Sequence, residues 1–489
     1  MGWIDEVAYK ISPQWAYKRE AWRQELDSIR NYDAGALDRN NANWNASNLS
    51  AEFTDKYDRD KVRARARDLE RNSDMATSVV KAFKRNIIGG GFKLQARTSV
   101  PEINNKLEEY WKEWCKKENC DVTGVQSFNQ LLRMAVQRKK VDGGILFIKR
   151  YTDDGLIPFK LQAIEVDELA KDAVTNGERV VGGIKYNEYN KPLGYYIKQY
   201  DIDGYTINEP VYIPAKDVIF IYSKKRPSQI REMSDMAPTV TRIRDINEFM
   251  TAVSVKERIA ACLAVFIKKN NPNGAGGFDK RNNNNANTPE KKYDGKTLIP
   301  GMIRELNVNE DAITINPSGQ ATDAAAFVKL QQRLIASGQG ISYESTSRDM
   351  SEVNYSSARQ GSIEDDLEYT EDGELIEEFM AEVYEAFVTC IYLTGLIKFK
   401  DFYTKKQDYI KHEWVKAPKR WIDPVKEANA NKIALATGQK TLKDIAAENG
   451  RDWREVVDEM AEINDYANKK GLDLGGALFG QKTAQKQTG

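Results

Sequence analysis

The chain has 489 residues, enough for two to four domains with real cores, and its 41% hydrophobic content is ordinary for a soluble protein. Acidic and basic side chains balance at 73 each, so the electrostatic footprint of a protein that grips nucleic acid tightly is absent. No run approaches eighteen uninterrupted apolar residues, so no membrane span is expected, and Met1-Gly2-Trp3-Ile4-Asp5-Glu6 reads as neither a secretion nor a lipidation signal.

In chain order, an N-terminal arm (1–55) precedes a region (56–236) that mixes helices with short β segments. Residues 144–149, 159–164, 182–186, 194–199 and 217–222 carry the β-branched and aromatic content of strands. The fold class expected is α+β, mainly helical. Ser234-Asp235 and Pro238 suit a helix start. Val240, Ile243, Phe249, Met250, Val253, Ile259, Leu263 and Phe266 then outline a helix of about thirty residues, roughly 45 Å long (237–269). The pattern breaks over 270–320. Asn270 to Thr288 is Asn/Gly-rich, and Lys296–Leu306 and Ala312–Ile315 read as two strands around a turn at Pro300-Gly301. From Lys268 to Arg304 there are eight bases against three acids, which makes Lys291, Lys292, Lys296 and Arg304 candidates for docking an acidic partner. A second helix (321–338) opens near Thr322-Asp323 and stops at Gly338, with Phe327, Leu330, Leu334 and Ile335 on one face.

Residues 342–362 form a hydroxyl-rich run with sparse charge between two helical segments, read as a displayed loop (339–361). Its hydroxyls and amides suit weak contact with phosphate oxygens at any base sequence, and Arg348 and Arg359 add little positive charge. A plain surface connector is the alternative from composition alone. From Glu364 to Glu385 there are eleven acids and no base, with Leu375, Ile376, Phe379, Met380 and Val383 keeping a helical apolar stripe. Such crowding of like charge calls for a basic surface on another element or a neighbouring subunit. Thr441-Leu442-Lys443-Asp444 resembles a capping box, Trp453–Lys470 reads as an amphipathic helix, and 475–489 as a frayed tail.

Catalytic signatures are absent. Gly89-Gly90-Gly91 and Gly338-Gln339-Gly340 lack the Lys-Ser/Thr that a phosphate-cradling loop needs, and read as helix ends and turns. With His412 the sole histidine, a Ser-His-Asp or Cys-His arrangement is not expected. The pair Asp365-Asp366 reads as a solvated face or subunit contact ahead of a metal site. Cys115, Cys120, Cys262 and Cys390 are irregularly spaced and read as reduced thiols; Cys115 and Cys120 have no second pair to complete a zinc site. No catalytic residue, metal or cofactor is expected.

Several segments resemble the lambda-type bacteriophage portal proteins. Asp349-Met350-Ser351 followed by Asn354-Tyr355-Ser356-Ser357-Ala358-Arg359 is similar to that family's D-x-S…NYSSAR signature. Asn72–Leu94 resembles its early helix running into a V-G-x-G-I-x-L strand. Trp111, Trp114, Cys120-Asp121, Gly124 and Ser127-Phe128 match W-x-x-W…CD-x-x-G-x-x-SF, and Trp421–Ala428 matches WVDPLKEA. Val141-Asp142-Gly143-Gly144 resembles VDGE with Gly144 in place of the acid. Arg226–Glu232 departs from R-P-G-Q-x-R-G at both glycines.

The resemblance implies a ring subunit, expected as a dodecamer, with wing, stem, clip and crown. The wing helix and its connection would span 362–423, and the crown 424–474. It implies a structural protein of the virion, seated at one capsid vertex after assembly in the host cytoplasm. Its partners would be double-stranded DNA bound without sequence preference, terminase, a head-tail adaptor, and capsid and scaffolding protein. Ser345, Thr346, Ser347, Arg348, Asn354 and Ser356 are then the candidate channel lining, and Arg359 with Glu364 and Asp365 the candidate intersubunit ion pair. The alternatives are a portal homologue of a gene-transfer particle and a nucleic-acid-processing enzyme of a mobile element.

Overall fold

The computed structural model describes residues 48–172, 177–205, 208–261, 265–268, 303–306, 324–417 and 424–472, with a few positions before residue 48. The chain divides into two units, Met1–Lys56 and Tyr57–Gly489. The first contributes a short helix, α1 (Ala51–Asp55), started by Ser50, whose hydroxyl accepts the Phe53 amide at 3.4 Å.

The second unit opens with α2 (Arg59–Asn72) and α3 (Asp74–Ile87). Ser73 separates them: it is extended, and its hydroxyl accepts the Ala76 amide, so one residue ends a helix and caps the next. Gly89 and Gly91 then turn the chain at positive φ into β1 (Phe92–Ala96). Helices α4 (Pro101–Trp114), α5 (Lys117–Cys120) and α6 (Phe128–Asp142) follow. A Ser127/Gln130 capping box starts α6, and Gly143 at φ 90° ends it. A Cβ on Gly143 would sit 2.4 Å from the Met233 carbonyl carbon, so backbone conformation and packing both demand glycine there.

Strand β2 (Gly144–Arg150) lies between β3 (Lys160–Ile164) and β8 (Val218–Tyr222), antiparallel to both. Four shorter strands, β4 (Val180–Val181), β5 (Ile184–Tyr186), β6 (Pro192–Ile197) and β7 (Val211–Pro214), form a second antiparallel sheet. The two sheets share a small core that includes Leu146, Ile148, Ile164, Ile184, Tyr195 and Val218. All five strand segments expected from the sequence are present within a few residues. The extra strands β4 and β7 are too short, or too close to a proline, to register as periodic signals.

The long helix α7 spans Val240–Ala261, 22 residues and about 33 Å. This corrects the expected thirty-residue helix, because Val265–Lys268 is a strand, β9, paired in parallel with β10 (Ile303–Leu306). Val265, Phe266 and Ile267 suit a paired strand, and their helical spacing with residues upstream is coincidental. Ala312–Ile315 and most of 270–320 lie outside the described residues. Helix α8 (Ala324–Gly338) returns alongside α7, with Phe249 and Phe327 rings 4.7 Å apart.

After α8 come α9 (Tyr343–Ser347), the 39-residue α10 (Tyr355–Leu393), α11 (Phe402–Tyr409) and β11 (His412–Lys416), which pairs antiparallel with β1. Helices α12 (Pro424–Ala436), α13 (Leu442–Glu448) and α14 (Trp453–Lys469) complete the chain, with the Thr441/Asp444 capping box present at α13.

The main core forms where α3, α4, α6 and α10 meet. The W-x-x-W spacing puts Trp111 and Trp114 on one face of α4, their rings stacked 4.9 Å apart. Trp111 also packs edge-on against Phe128, Tyr384 and Phe387. The Trp114 indole N–H donates to the Phe159 carbonyl at 2.6 Å, which satisfies the buried polar end of that ring.

The acidic face of α10 is partly neutralised within the chain. Asp372 is buried against Lys139 and Lys140 of α6, and Lys139 also lies 3.1 Å from Asp235. Burial alone pushes Lys139 down, but Asp235 and Asp372 outweigh it and hold its pKa above the ordinary value. For Lys140 burial prevails, and its pKa is lowered. Lys149 and Lys406 pair with Glu382 and Glu385 at 2.6 Å each.

The Arg226–Glu232 turn shows why its two glycine positions accept other residues. Neither Ser228 nor Glu232 adopts positive φ, and the Gln229 amide closes the turn on the Arg226 carbonyl at 2.9 Å. Glu232 and Arg231 are wholly buried and bonded to each other at 2.7 Å, with Arg63 of α2 3.0 Å from the same carboxylate. The charge is therefore shared among hydrogen-bonding partners and is not stranded.

Candidate DNA-channel segment

The hydroxyl-rich run folds onto the chain at its first half and projects at its second. Gly338 ends α8, and Gly340 turns at φ 74° against Glu368, whose carboxyl carbon would lie 2.6 Å from an added Cβ. Ser342 caps α9 through its hydroxyl, which accepts the Ser345 amide at 3.3 Å. The buried Asp365 carboxylate then gathers three donors: the Ser342 amide at 2.6 Å, the Ser342 hydroxyl at 2.7 Å and the Ser345 hydroxyl. The Ser78 hydroxyl of α3 donates to the Thr346 carbonyl, fixing α9 from its other side.

Arg348 terminates α9 in the left-handed conformation at φ 59°, its amide donating to the Glu344 carbonyl at 2.9 Å. That geometry lifts its side chain into solvent, where it has no hydrogen bond or ion pair among the described residues. Asp349 accepts the Ser351 amide and hydroxyl at 3.1 and 2.5 Å, a local turn that draws its pKa down. Glu352 reaches back to Lys329 of α8 at 2.6 Å. Asn354 caps α10, its side-chain oxygen accepting the Ser357 amide at 2.8 Å.

The six expected channel residues therefore separate. Arg348, Asn354 and Ser356 are exposed, and Ser347 is half-buried. Ser345 is spent on Asp365. Thr346 is buried, and its hydroxyl donates to the Tyr343 carbonyl at 2.9 Å, so the chain itself closes this residue off from a channel. The loop is also shorter than 339–361: α9 occupies its first half, and the N-Y-S-S-A-R run belongs to the opening of α10.

The expected ion-pair trio separates too. Arg359 is exposed with no partner among the described residues, and Glu364 is exposed and accepts only from Gln360 at 2.9 Å. Asp365 is buried inside its own subunit as the anchor just described, which corrects its assignment to an intersubunit contact. Lys291, Lys292 and Lys296 lie outside the described residues, and of Arg304 only the backbone, in β10, is described.

Sequence reasoning missed Asp365 as the anchor, although the Ser342/Ser345 spacing of an N-cap carried part of the signal. It also missed the cleft beside the segment. This space of about 680 Å³ brings Arg71, Lys81 and Arg348 together with Ser73, Thr77 and Gln332.

Elsewhere the site inventory is structural. Burial pushes the Cys115 thiol up, and that of Cys120 up to about 12, which leaves both as poor nucleophiles and poor metal ligands. Among the described residues no cluster of His, Cys, Asp and Glu could hold a metal ion, and no helix is long and apolar enough to cross a membrane.

Comparison with known proteins shows the family. The family model described as phage portal protein, lambda family, matches residues 37–371, from before α1 into α10. The probable portal protein of Halomonas phage phiHAP-1 is 25% identical over 458 residues, covering 90% of this chain and 87% of that protein. Portal protein B of Escherichia phage lambda is 20% identical over 457 residues, covering 84% of each. Among solved structures, a chain from the virion of a native gene transfer agent particle is similar with TM-score 0.37 at 12% identity, over 81% of this chain and 93% of that one. The chain belongs to the lambda family of phage portal proteins.

Proposed function

We propose that this portal subunit assembles as a ring, with twelve copies as the expected number, at one capsid vertex, and that double-stranded DNA passes through it during packaging and ejection. In this reading α7 and α8 form the stem, β9 and β10 belong to the clip, and α12 to α14 form the crown. The clip docks terminase and then the head-tail adaptor, and capsid and scaffolding protein contact the wing. The portal is a conduit, and nucleotide hydrolysis belongs to the terminase.

The observation that carries this reading is the pinned segment between α8 and α10. Asp365 fixes its base, while Arg348, with no hydrogen bond or ion pair among the described residues, stands at its turn beside exposed hydroxyl and amide groups. Such groups offer interchangeable phosphate contacts, whereas a dense ring of Lys and Arg would hold DNA by counterion release and resist its movement.

The test is Arg348→Ala in a phage complementation assay. Ring assembly is expected to be unchanged while packaged or retained DNA falls. Wild-type packaging by the variant would remove Arg348 and its neighbours from the channel.

A further inference from the structure

Two helices of the wing carry outward faces of opposite charge that no described residue neutralises through an ion pair. On α10, Glu364, Leu367, Glu371, Glu374 and Glu378 recur at alternating steps of three and four, so they form one stripe about 21 Å long. All five are exposed, and Leu367 is 73% so. Among the described residues Glu371, Glu374 and Glu378 have no hydrogen bond or ion pair. The lysines that neutralise α10 reach other carboxylates, at Asp372, Glu382 and Glu385. On α3, Lys81 and Arg85 are exposed one turn apart and their side chains have no hydrogen bond or ion pair among the described residues, with Arg71 and Arg348 beside Lys81 in the neighbouring cleft.

The packing of these helices prevents the two faces from meeting within one chain. α3 and α10 contact each other through their buried sides, where the Phe83 and Tyr369 rings meet edge-on at 5.3 Å. Lys81 and Arg85 lie two residues either side of Phe83, and Leu367 and Glu371 two either side of Tyr369, about 160° around each helix from the contact, so the acidic and basic stripes do not face each other across it. A second copy, rotated about a ring axis, presents its basic face to the acidic face of the first. A contact of this kind is head-to-tail, which closes into a ring when the rotation closes.

We propose that the Glu371/Glu374/Glu378 face of α10 docks on the Lys81/Arg85 face of α3 in the adjacent copy of this chain, with Leu367 supplying apolar area at the contact. This rests on the ring reading given above and adds to it the two surfaces that meet. Charge complementarity at such a surface fixes partner orientation and speeds encounter.

The test uses two full-length charge-reversal variants, Glu371→Lys with Glu378→Lys, and Lys81→Glu with Arg85→Glu. All four positions are exposed, so far-ultraviolet circular dichroism and melting should match the wild type. Each variant alone faces like charge with like charge, and sedimentation velocity at moderate salt should show loss of the ring species in favour of small oligomers.

Mixed one to one, the variants pair reversed faces with each other and native faces with each other, and rings should return. Either variant forming wild-type rings by itself, or a mixture that fails to reassemble, overturns the proposal while leaving the portal reading intact. A Lys81→Glu/Arg85→Glu protein that forms full rings but no longer retains duplex DNA would assign the basic face to nucleic acid, and also overturns it. A wild-type chain that forms no ring would sink the portal reading itself.

Discussion

Replacing Asp365 with alanine removes the acceptor on which the base of the candidate channel segment is built. Three hydrogen bonds end on this buried carboxylate, from the Ser342 amide at 2.6 Å, the Ser342 hydroxyl at 2.7 Å and the Ser345 hydroxyl. A bond to a charged group contributes about 1.5–3 kcal/mol, and bonds that share one acceptor are not additive, so about 3 kcal/mol is a conservative figure for the set. At about 1.4 kcal/mol per tenfold change, the locally opened form becomes roughly a hundredfold more populated.

The exposed Arg348 lies within the released segment and is a trypsin site. Where opening is fast relative to cleavage, the rate of cutting tracks the open population. Limited trypsinolysis should therefore release the fragment ending at Arg348 roughly a hundredfold faster from Asp365→Ala than from the wild type. Asp365→Asn, which keeps the shape and loses the charge, should fall between them. A change of less than about threefold in the alanine variant would refute the anchoring role, since it corresponds to well under 1 kcal/mol.

Two further perturbations test the main core and the charges buried beside it. Asp372→Ala leaves Lys139 and Lys140 buried with Asp235 and Glu368 as their remaining acidic neighbours, and chemical denaturation should show a loss of about 3–5 kcal/mol; a loss under about 1 kcal/mol would mean water reaches the site. His412, the sole histidine, packs on Tyr384 and Trp414, and burial pushes its pKa below 6.5 although its contact with the Ile410 carbonyl acts the other way. The unfolded chain then binds the proton more readily, so the stability His412 contributes is present above about pH 6.5 and lost as pH falls below it. Between pH 7.5 and 5.5 the wild type should therefore lose stability more steeply than His412→Phe, and parallel profiles would contradict this assignment.

The sequence made the elements legible where periodicity was strong. The five principal strands, the paired tryptophans of α4, the start of α8 and the capping box of α13 all follow from local pattern. So does the need for bases against the acidic helix, since eleven acids in one stretch require partners somewhere; that Lys139 and Lys140 of α6 would meet Asp372 is a tertiary fact with no local signal. The end of α7 was not legible, because β9 continues the apolar spacing of a helix and only its pairing with β10 reveals a strand.

The candidate segment was half legible. Its position between two helices and the exposure of Arg348 follow from composition and turn chemistry. Asp365 stands among so many surface acids that nothing local distinguishes the one that turns inward. Thr346 looks like its neighbours for the same reason, and its burial comes from α3 packing against α9.

Electron microscopy of the purified full-length protein tests the central claim most directly. The account predicts a closed ring with a central channel, and a reconstruction in which Arg348 and Asn354 border that channel. A protein that stays a single 55.6 kDa species on the grid, or a ring in which this segment is buried away from the channel, would contradict it.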